Sequence, residues 1–150
     1  MLIFSQVSAY SKDFIGGATQ GTNGSVHGTA CAGVIAAAKN DICGVGIAYD
    51  SKIADLRVLT SAMTLPSAAQ QALALNHKYQ DVSIYSSSFG PPDNGKAQEG
   101  PPYVVNKAFL NGVSNGRMFN GKAKGSIYVI AAGNGRQYRD ECNHDGYVNR

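Results

Sequence analysis

Tryptophan is absent from the 150 residues, and cysteine occurs only three times. Cys31, Cys43 and Cys142 form no Cys-x-x-Cys pair, so a metal site built on cysteine is not expected. An odd number also leaves at least one of them without a partner inside the chain. No apolar run is long enough to cross a bilayer, and the first residues have neither the basic region nor the apolar core of a signal peptide.

Charge is sparse as well, since 15% of the residues are charged and the formal net charge is +3. The lysines and arginines are scattered, so neither their number nor their arrangement indicates a nucleic-acid surface. The length suits one domain with a sizeable core. These properties predict a single globular domain that does not bind nucleic acid.

Apolar periodicity divides the chain into alternating helices and strands. Three helices are predicted, at about 28–38, 66–78 and 104–113. Three strands are predicted, at 53–59, 82–85 and 126–132. The last strand is continuously apolar, as a central parallel strand should be. The alternation implies βαβ units, so the predicted fold class is α/β, with a parallel β-sheet flanked by helices.

The first predicted helix is the most informative segment. It begins beside His27, has almost no polar side chains, and is followed by the Gly-Val-Gly sequence at 44–46. A helix of this composition is expected to be buried on most sides. A lone histidine at such a position is either a capping or packing residue or a functional base.

Acidic residues collect after two of the predicted strands. Half of the ten acidic residues follow the strands at 82–85 and 126–132, namely Asp93, Glu99, Asp140, Glu141 and Asp145. Ligands of open α/β sheets bind beyond the carboxyl ends of strands, where these carboxylates would repel one another without a cation. Calcium and a substrate arginine or lysine are both candidates. Solvated loop charges are the third interpretation.

Four motifs occur in the order typical of one family. They are His27-Gly28-Thr29 with its helix and Gly44-Val45-Gly46, then 84–91 (IYSSSFGP), 93–96 (DNGK) and 142–147 (CNHDGY). Together they resemble the subtilisin-like serine proteases, and within them the kexin and furin branch, the calcium-dependent proprotein convertases. The resemblance covers residues from about 25 to 149 and implies a subtilisin-like α/β fold.

The resemblance assigns a role to each motif. His27 matches the general base, and Asn134 matches the asparagine of the oxyanion hole. Ser88, Phe89 and Gly90 match the segment that pairs with the substrate backbone, although this branch usually has tryptophan in place of phenylalanine. The remaining substrate-binding residues that the resemblance implies are Asp93, Asp145, Glu99 and Tyr147. Of these, Asp93 and Asp145 match the two carboxylates that select a basic residue before the scissile bond.

Calcium sites are implied in two places. In the loop after the first helix, the Asn40 side chain and the carbonyls of Ala38, Ile42 and Gly44 match one site. Asp93 and Asp140 match ligands of a second site beneath the specificity pocket. The resemblance therefore implies Ca²⁺ as the cofactor.

Three departures weaken the match to dibasic specificity. Gln71 replaces a glutamate that recognises a further upstream basic residue, Gly24 replaces an aspartate, and Ala30 replaces an arginine. A preference for arginine before the scissile bond is expected, whereas the choice between single and paired basic residues stays open.

The catalytic set is incomplete within these residues. No Gly-Thr-Ser-Ala-like nucleophile segment occurs, and no Asp-[Thr/Asp/Ser]-Gly segment precedes His27; Asp13 does not fit that pattern. Residues 1–150 are therefore expected to form a partial subtilisin-like catalytic domain, without the segments that carry the catalytic Asp and Ser. In the family, Cys43 and Cys142 would pair with cysteines outside them, which implies an oxidising compartment.

The resulting functional hypothesis is a serine-type endopeptidase of the proprotein convertase type that cleaves secretory precursors after basic residues, inactive as this piece alone. Its implied partners are precursors with basic cleavage sites, its own propeptide and a downstream domain. The implied location is the secretory pathway, in the Golgi, membrane-anchored or secreted. The alternative is a non-catalytic module of the same fold that binds calcium or basic peptides. A nucleotide-binding domain fits less well, because Gly44-Val45-Gly46 follows a helix and not a strand.

Overall fold

The computed structural model describes residues 5–6, 8–16, 26–42, 44–59, 66–142 and 147–148. Asp145, Cys43 and Gly24 lie outside these residues. The chain divides into two compact units, Met1–Thr64 and Leu65–Arg150. None of the helices in the described ranges is both long and apolar enough to cross a membrane.

The first unit holds one helix and four short strands: β1 (Ser5–Gln6), β2 (Lys12–Asp13), α1 (Val26–Ala36), β3 (Lys52–Ile53) and β4 (Leu56–Arg57). Strand β1 pairs with β3, and β2 pairs with β4, in both cases in parallel. The predicted single strand at 53–59 is thus two strands, because β3 and β4 pair with different partners on either side of Ala54 and Asp55. A single sequence does not contain that information.

A buried ion pair joins β2 to β4. Arg57 Nη1 donates to Asp13 Oδ2 over 2.6 Å, and the Asp13 side chain is 2% exposed. The backbone N–H groups of Gly16 and Ile15 donate to Asp13 Oδ1, over 2.9 and 2.8 Å. These two backbone bonds, followed by Arg57, hold the pKa of Asp13 below its usual value, although burial acts in the opposite direction. Asp13 is therefore fully engaged as a structural carboxylate.

Helix α1 is closed at its C-terminal end by the chain that follows it. The N–H of Gly46 donates to the carbonyl of Ala37 over 2.8 Å, and Ile47 and Ala48 donate to Val34 and Ile35. A Cβ atom at position 46 would lie 2.4 Å from the Ala37 nitrogen, so only glycine permits this approach. The N–H groups of residues 46–48 thus bond carbonyls that the C-terminal end of an α-helix otherwise leaves without partners.

The predicted burial of α1 on most sides is not what the structure has. Only Gly33 and Ala36 are buried within the helix, and Val34 is 71% exposed. Because apolar residues are distributed all around α1, its sequence does not select one buried face, and the described residues of this unit cover only one side.

The second unit contains α2 (Ala68–Leu75), β5 (Ile84–Ser87), α3 (Tyr103–Asn115), β6 (Met118–Phe119), β7 (Lys122–Ala123), β8 (Ile127–Ile130) and a 3₁₀ helix (Gly135–Tyr138). Strands β5 and β8 are parallel, with Ile84 opposite Ile127. Helix α2 begins with a capping box in which Ser67 and Gln70 bond each other's backbone. The predicted α/β fold class is confirmed by these parallel pairs and the helices between them.

The core of this unit lies between the helices and the β5–β8 pair. Leu75, Val105 and Ala108 are buried in it. Tyr85 and Tyr128 stack on the two strands with ring centroids 5.0 Å apart. Their hydroxyls donate to backbone carbonyls, that of Tyr85 to His77 over 2.7 Å and that of Tyr128 to Leu75 over 2.9 Å. The hydroxyl groups of both tyrosines therefore have hydrogen-bond partners at or just after the C-terminal end of helix α2.

Strands β6 and β7 form an antiparallel hairpin that was not among the predicted strands. Its two-residue loop is Asn120-Gly121, with φ angles of 50° and 71°. Positive φ at both loop residues is typical of the type I′ turn, and Asn-Gly is its preferred sequence. The Asn-Gly dipeptide is therefore the feature of the sequence from which this hairpin could have been predicted.

Candidate active site

The candidate site is assembled from the loops that leave β5 and β8. Because these strands are parallel neighbours, their carboxyl ends lie at one edge, and the N–H of Ala131 extends the pairing by donating to Ser87 over 3.0 Å. The loop after β5 contains Asp93, and the loop after β8 contains Asn134. This is the edge at which ligands of open α/β sheets bind.

Asp93 and Asn134 contact each other directly. The backbone N–H of Asn134 donates to Asp93 Oδ2 over 2.9 Å, and its carboxamide Nδ2 donates to the same oxygen over 3.4 Å. The longer bond is weak, and the carboxamide nitrogen carries two hydrogens, so Nδ2 can still donate to a second acceptor. The sequence predicted both residues as functional but not this contact between them.

Glycine at position 133 permits this contact. Gly133 has a φ angle of 97°, and a Cβ atom there would lie 2.5 Å from Asp93 Oδ1. A side chain would be strained by the backbone and would displace the carboxylate. The Gly-Asn-Gly sequence therefore makes a turn and also leaves room for the Asp93 carboxylate to accept hydrogen bonds from Asn134.

An open depression of about 470 Å³ surrounds Asp93. Its walls come from both loops: Pro91, Pro92, Asp93, Ala97, Ala132, Gly133, Gly135, Arg136, Arg139, Asp140, Glu141 and Cys142. The predicted residues Asp93 and Asp140 are thus brought together. Two arginines also line the depression, which the sequence prediction missed because it considered only the carboxylates. They offer a second way to balance negative charge at this edge.

Asp140 is held by the end of the 3₁₀ helix. Its N–H donates to the carbonyl of Gly135 over 3.1 Å, and a Cβ atom at position 135 would lie 2.4 Å from the Asp140 Cβ. Within the described ranges, no group of three or more His, Cys, Asp or Glu side chains could hold a metal ion. Asp93 and Asp140 are therefore at most part of a ligand set that includes other oxygens.

The segment after β5 continues as partly buried, irregular chain through Ser88, Phe89 and Gly90. Phe89 lines a small apolar gap with Phe109 and Tyr147, among others. The hydroxyl of Tyr147 donates to Gln71 Oε1 over 2.8 Å, and Gln71 Nε2 donates to the carbonyl of Pro66 over 2.9 Å. The structure thus joins two positions that the resemblance relates to substrate recognition, and both ends of the Gln71 amide are used.

One predicted acidic residue, Glu99, does not line the depression. Glu99 is exposed in the loop at 96–100 and is not among the lining residues. Asp145 lies outside the described residues. Of the predicted acidic residues, Asp93 and Asp140 line the depression directly, and Glu141 joins them.

His27 belongs to the first unit. It is the second residue of α1, it is exposed, and its Nε2 lies 4.0 Å from Cys31 Sγ, one turn further along. That position at the start of the helix is the one predicted. Among the described residues, Cys31 and Cys142 form no disulfide.

The loop after α1 brings two of the predicted oxygens, the Ala38 carbonyl and the Asn40 side chain, into one turn. Asn40 Nδ2 donates to the carbonyl of Ala38 over 2.8 Å, and the N–H of Ile42 donates to Asn40 Oδ1 over 2.9 Å. Each oxygen has a second lone pair, so neither bond prevents it from facing a cation. Together with the carbonyls of Ile42 and Gly44 this is an all-oxygen donor set, the type that Ca²⁺ prefers. The residues present fit calcium in chemistry, and four oxygens fill only part of its six to eight positions.

Comparison with known proteins adds family information. The subtilase family model matches residues 4–148. The chain is 51% identical over 123 residues to a dibasic-processing endoprotease of Schizosaccharomyces pombe, covering 82% of this chain and 16% of that protein. A dibasic-processing endoprotease of Yarrowia lipolytica is 47% identical over 123 residues, covering 82% and 12%. The human proprotein convertase subtilisin/kexin type 7 is 48% identical over 128 residues, covering 85% and 15%.

The chain thus spans 12 to 16% of the length of these three relatives. The family match covers nearly every residue, and it includes the loops that hold Asp93, Asn134 and Asp140 together. The chain therefore belongs to the subtilase family, peptidase family S8, and it resembles the processing endoproteases of the kexin type within that family.

Proposed function

We propose that this chain contributes the base, the oxyanion donor and part of the specificity pocket of a serine endopeptidase that cleaves polypeptide precursors after basic residues. The observation that carries the proposal is the direct contact of Asp93 with Asn134 at the carboxyl edge of two parallel strands. One carboxylate that suits a basic side chain lies beside one amide that suits an oxyanion. Similarity to two dibasic-processing endoproteases supports the same assignment.

The chemical roles follow from the residue types. His27 removes the proton from a serine hydroxyl as that oxygen attacks the carbonyl carbon of the substrate, and then gives the proton to the leaving amine. Asn134 Nδ2 donates to the oxygen that becomes negative, a contribution worth roughly 10²–10³ in turnover. The serine and its aspartate partner are not identifiable in these 150 residues, so residues 1–150 act as a partial catalytic domain.

The specificity pocket is proposed at the depression around Asp93, with Asp145 as the second carboxylate. A buried arginine would exchange its hydration for charge-assisted bonds to these groups. Ser88, Phe89 and Gly90 pair with the substrate backbone, and Glu99 and Tyr147 belong to further subsites. Gln71 is neutral and bonds Tyr147 and Pro66, so it adds little affinity for a second basic residue.

Ca²⁺ is the proposed cofactor. The loop site would use Asn40 and the carbonyls of Ala38, Ile42 and Gly44, and the second site would use Asp93 and Asp140. When bound, the ion supplies stability and charge balance, and it takes no chemical part in the cleavage. Asn40→Ala should reduce the rise in melting temperature that added Ca²⁺ produces, while Asn115→Ala, at an exposed position on α3, should not.

The substrates are proposed to be precursors with basic cleavage sites, and the propeptide and a downstream domain are proposed as further partners. The secretory pathway, in the Golgi, membrane-anchored or secreted, is the proposed location, consistent with the names of the relatives as processing proteases.

A chimera tests the activity. The matched 123-residue segment of the Schizosaccharomyces pombe dibasic-processing endoprotease is replaced by the matching residues of this chain, and cleavage of arginine-containing peptides is measured. We expect cleavage, and we expect His27→Ala to lower kcat by at least about 10² with KM nearly unchanged. Val26→Ala, at the neighbouring exposed position of α1, is the matched control and should retain activity.

Two results would decide against the proposal. One is a folded chimera without activity under conditions in which the parent enzyme cleaves. The other is a His27→Ala chimera that keeps more than about a tenth of the turnover, given the usual 10²–10⁴-fold value of proton transfer. Binding of arginine peptides without cleavage would favour the non-catalytic module.

A further inference from the structure

The β6–β7 hairpin, defined here as residues 117–124, projects from a rigid base. The N–H groups of Arg117 and Met118 donate to the carbonyls of Tyr79 and Gln80, over 2.8 and 2.9 Å. The N–H of Lys124 donates back to the carbonyls of Gly116 and Arg117. Beyond this base, Asn120 and Gly121 close the tip in a turn whose backbone angles suit both residues. The hairpin is therefore ordered without a partner.

Apolar side chains of the hairpin face solvent. Phe119 is 63% exposed and Met118 is 43% exposed. Successive residues of a strand point to opposite faces, so Met118 and Phe119 expose the two faces of the hairpin. On one face Phe119 lies opposite Lys122, and on the other Met118 lies opposite Ala123. Neither large apolar side chain has a role in the core of this unit.

Positive charge surrounds these side chains. Arg117, Lys122 and Lys124 lie within the hairpin, and no acidic residue occurs between Glu99 and Asp140. Lys122 and Lys124 are exposed. In the part of the chain that the structure describes, the only ion pair within 4.0 Å joins Arg57 to Asp13, in the other unit. The hairpin thus combines exposed apolar side chains with two exposed lysines that form no ion pair within 4.0 Å among the described residues.

The geometry favours a deformable anionic surface as the occupant. A rigid protein partner would need a slot that encloses both faces of the hairpin in order to bury Met118 and Phe119 together. A lipid interface accepts both at once, because the tip can enter between headgroups while lysines remain at the phosphate level. The negative charge of such a membrane complements the exposed Lys122 and Lys124.

We propose that the β6–β7 hairpin binds the surface of anionic phospholipid membranes, with Met118 and Phe119 entering the interface and Lys122 and Lys124 contacting the headgroups. The binding is peripheral and weak, since it uses two apolar side chains and two charges. It does not depend on the peptidase activity proposed above, and it concerns a different surface of the same unit.

The absence of tryptophan gives a direct test. Met118→Trp and Phe119→Trp are made separately in the 150-residue chain, and emission is recorded with vesicles of phosphatidylcholine alone or with roughly a third phosphatidylserine. Both tryptophans should shift to shorter wavelength with the anionic vesicles only. Tyr138→Trp is the matched control, because Tyr138 is 58% exposed and lies near Arg136 and Arg139. It should not shift.

Charge and apolar variants measure the contributions in vesicle sedimentation. Lys122→Gln and Lys124→Gln should each weaken binding about fivefold, and Phe119→Ser should weaken it about tenfold or more. Lys96→Gln removes the same charge outside the hairpin and should change binding less than about twofold. Circular dichroism establishes that each variant keeps the fold of the parent chain.

The proposal is overturned if neither hairpin tryptophan shifts, if only one does, or if the Tyr138→Trp signal shifts equally. It is also overturned if Lys96→Gln weakens binding as much as Lys122→Gln, which would indicate general charge attraction. A shift of both tryptophans on addition of soluble polyglutamate, without a shift on vesicles, would identify an acidic protein segment as the partner and exclude the lipid surface.

Discussion

At the scale of single residues, Asp93 has two roles, one in the geometry of the site and one in its charge. It accepts two hydrogen bonds from Asn134, and it offers negative charge to the depression. An asparagine at this position keeps an acceptor oxygen for the Asn134 N–H but removes the charge. Selectivity and site geometry can therefore be tested apart from each other.

In the active chimera, we expect Asp93→Asn to lower the preference for arginine over leucine before the scissile bond by roughly 10–100-fold, because one of two charge-assisted partners is lost. Cleavage rates of a peptide pair that differs only at this position give the ratio. Glu99→Gln is the control and should leave the ratio within about twofold. An unchanged ratio in Asp93→Asn, or a larger effect of Glu99→Gln, would show that the acidic residues are wrongly assigned.

Asp13 makes a second residue-scale prediction, on stability. Asp13→Asn leaves the partly buried Arg57 guanidinium without its counter-charge, which we expect to cost about 2–4 kcal/mol of unfolding free energy. Urea denaturation measures this change, and Asp50→Asn, at an exposed position, should alter stability by less than about 0.5 kcal/mol.

The pH dependence has a defined sign. Because the pKa of Asp13 is lowered in the folded chain, its contribution is present above the unfolded pKa and is lost as pH falls through the folded value. Asp13→Asn should therefore flatten the loss of stability in acid. If Asp13→Asn and Asp50→Asn unfold at the same urea concentration, the ion pair does not stabilise the fold.

At the scale of elements, composition and period predicted the helices well. The predicted helices at 28–38 and 104–113 correspond to Val26–Ala36 and Tyr103–Asn115. Alanine and apolar spacing specify a helix locally, so neighbours need not be known. The helix predicted at 66–78 ends earlier, at Leu75, and the chain then turns at 76–81, where the carbonyls of Tyr79 and Gln80 accept hydrogen bonds from the hairpin base.

Strands were predicted less accurately because their limits depend on partners. The strand predicted at 82–85 is Ile84–Ser87, and the one predicted at 126–132 is Ile127–Ile130. Ser86 and Ser87 have little strand preference of their own, yet they pair with Val129 and Ile130. Pairing over a long separation in sequence overrides local preference and is not encoded in the local pattern.

The β5–β8 pair also predicts an alkaline transition. Burial raises the pKa of Tyr128 to about 12, and burial together with Tyr128 raises the pKa of Tyr85 further. The unfolded chain loses these protons near pH 10. Because the folded chain binds these protons more tightly than the unfolded chain, the unfolding free energy keeps its full value below about pH 10 and falls as the pH rises toward 12.

Tyr85→Phe tests this assignment. It removes one titrating hydroxyl, along with its bond to His77, and should therefore reduce stability at neutral pH while making the alkaline decline shallower. The measurement is the unfolding free energy at several pH values between 8 and 12. Tyr103→Phe, at a 77% exposed position, should leave the slope unchanged. Equal slopes in all three proteins would exclude Tyr85 as the titrating group.

At the scale of the whole molecule, residues 1–150 should have no peptidase activity alone. The motif of the serine nucleophile does not occur in them, and an oxyanion donor without a nucleophile leaves only a small residual rate. Hydrolysis of an arginine-containing fluorogenic peptide is the measurement, with the active chimera as control. Turnover by the 150-residue chain that a serine-directed covalent inhibitor abolishes would contradict this prediction.

Sequence motifs identified the participants of the candidate site more completely than its arrangement. Asp93 and Asp140 were predicted because loops after parallel strands converge at one edge, and Asn134 was predicted from the family resemblance. The sequence did not predict that Gly133 leaves room for the Asp93 carboxylate, or that Arg136 and Arg139 line the depression. Both features depend on the path of the loops and not on spacing in sequence. Gln71 and Tyr147 were singled out separately, and only the fold joins them.

The bond from Asn134 to Asp93 spans 41 residues of chain, which has a consequence for synthesis. A ribosome that adds about 5–20 residues per second needs roughly 2 to 8 s to pass from one to the other. During that interval β5 has no β8 beside it and its edge is open to other strands. The β6–β7 hairpin is local and closes within microseconds of its completion. The depression around Asp93 is thus among the last parts of this unit to form during synthesis of the chain.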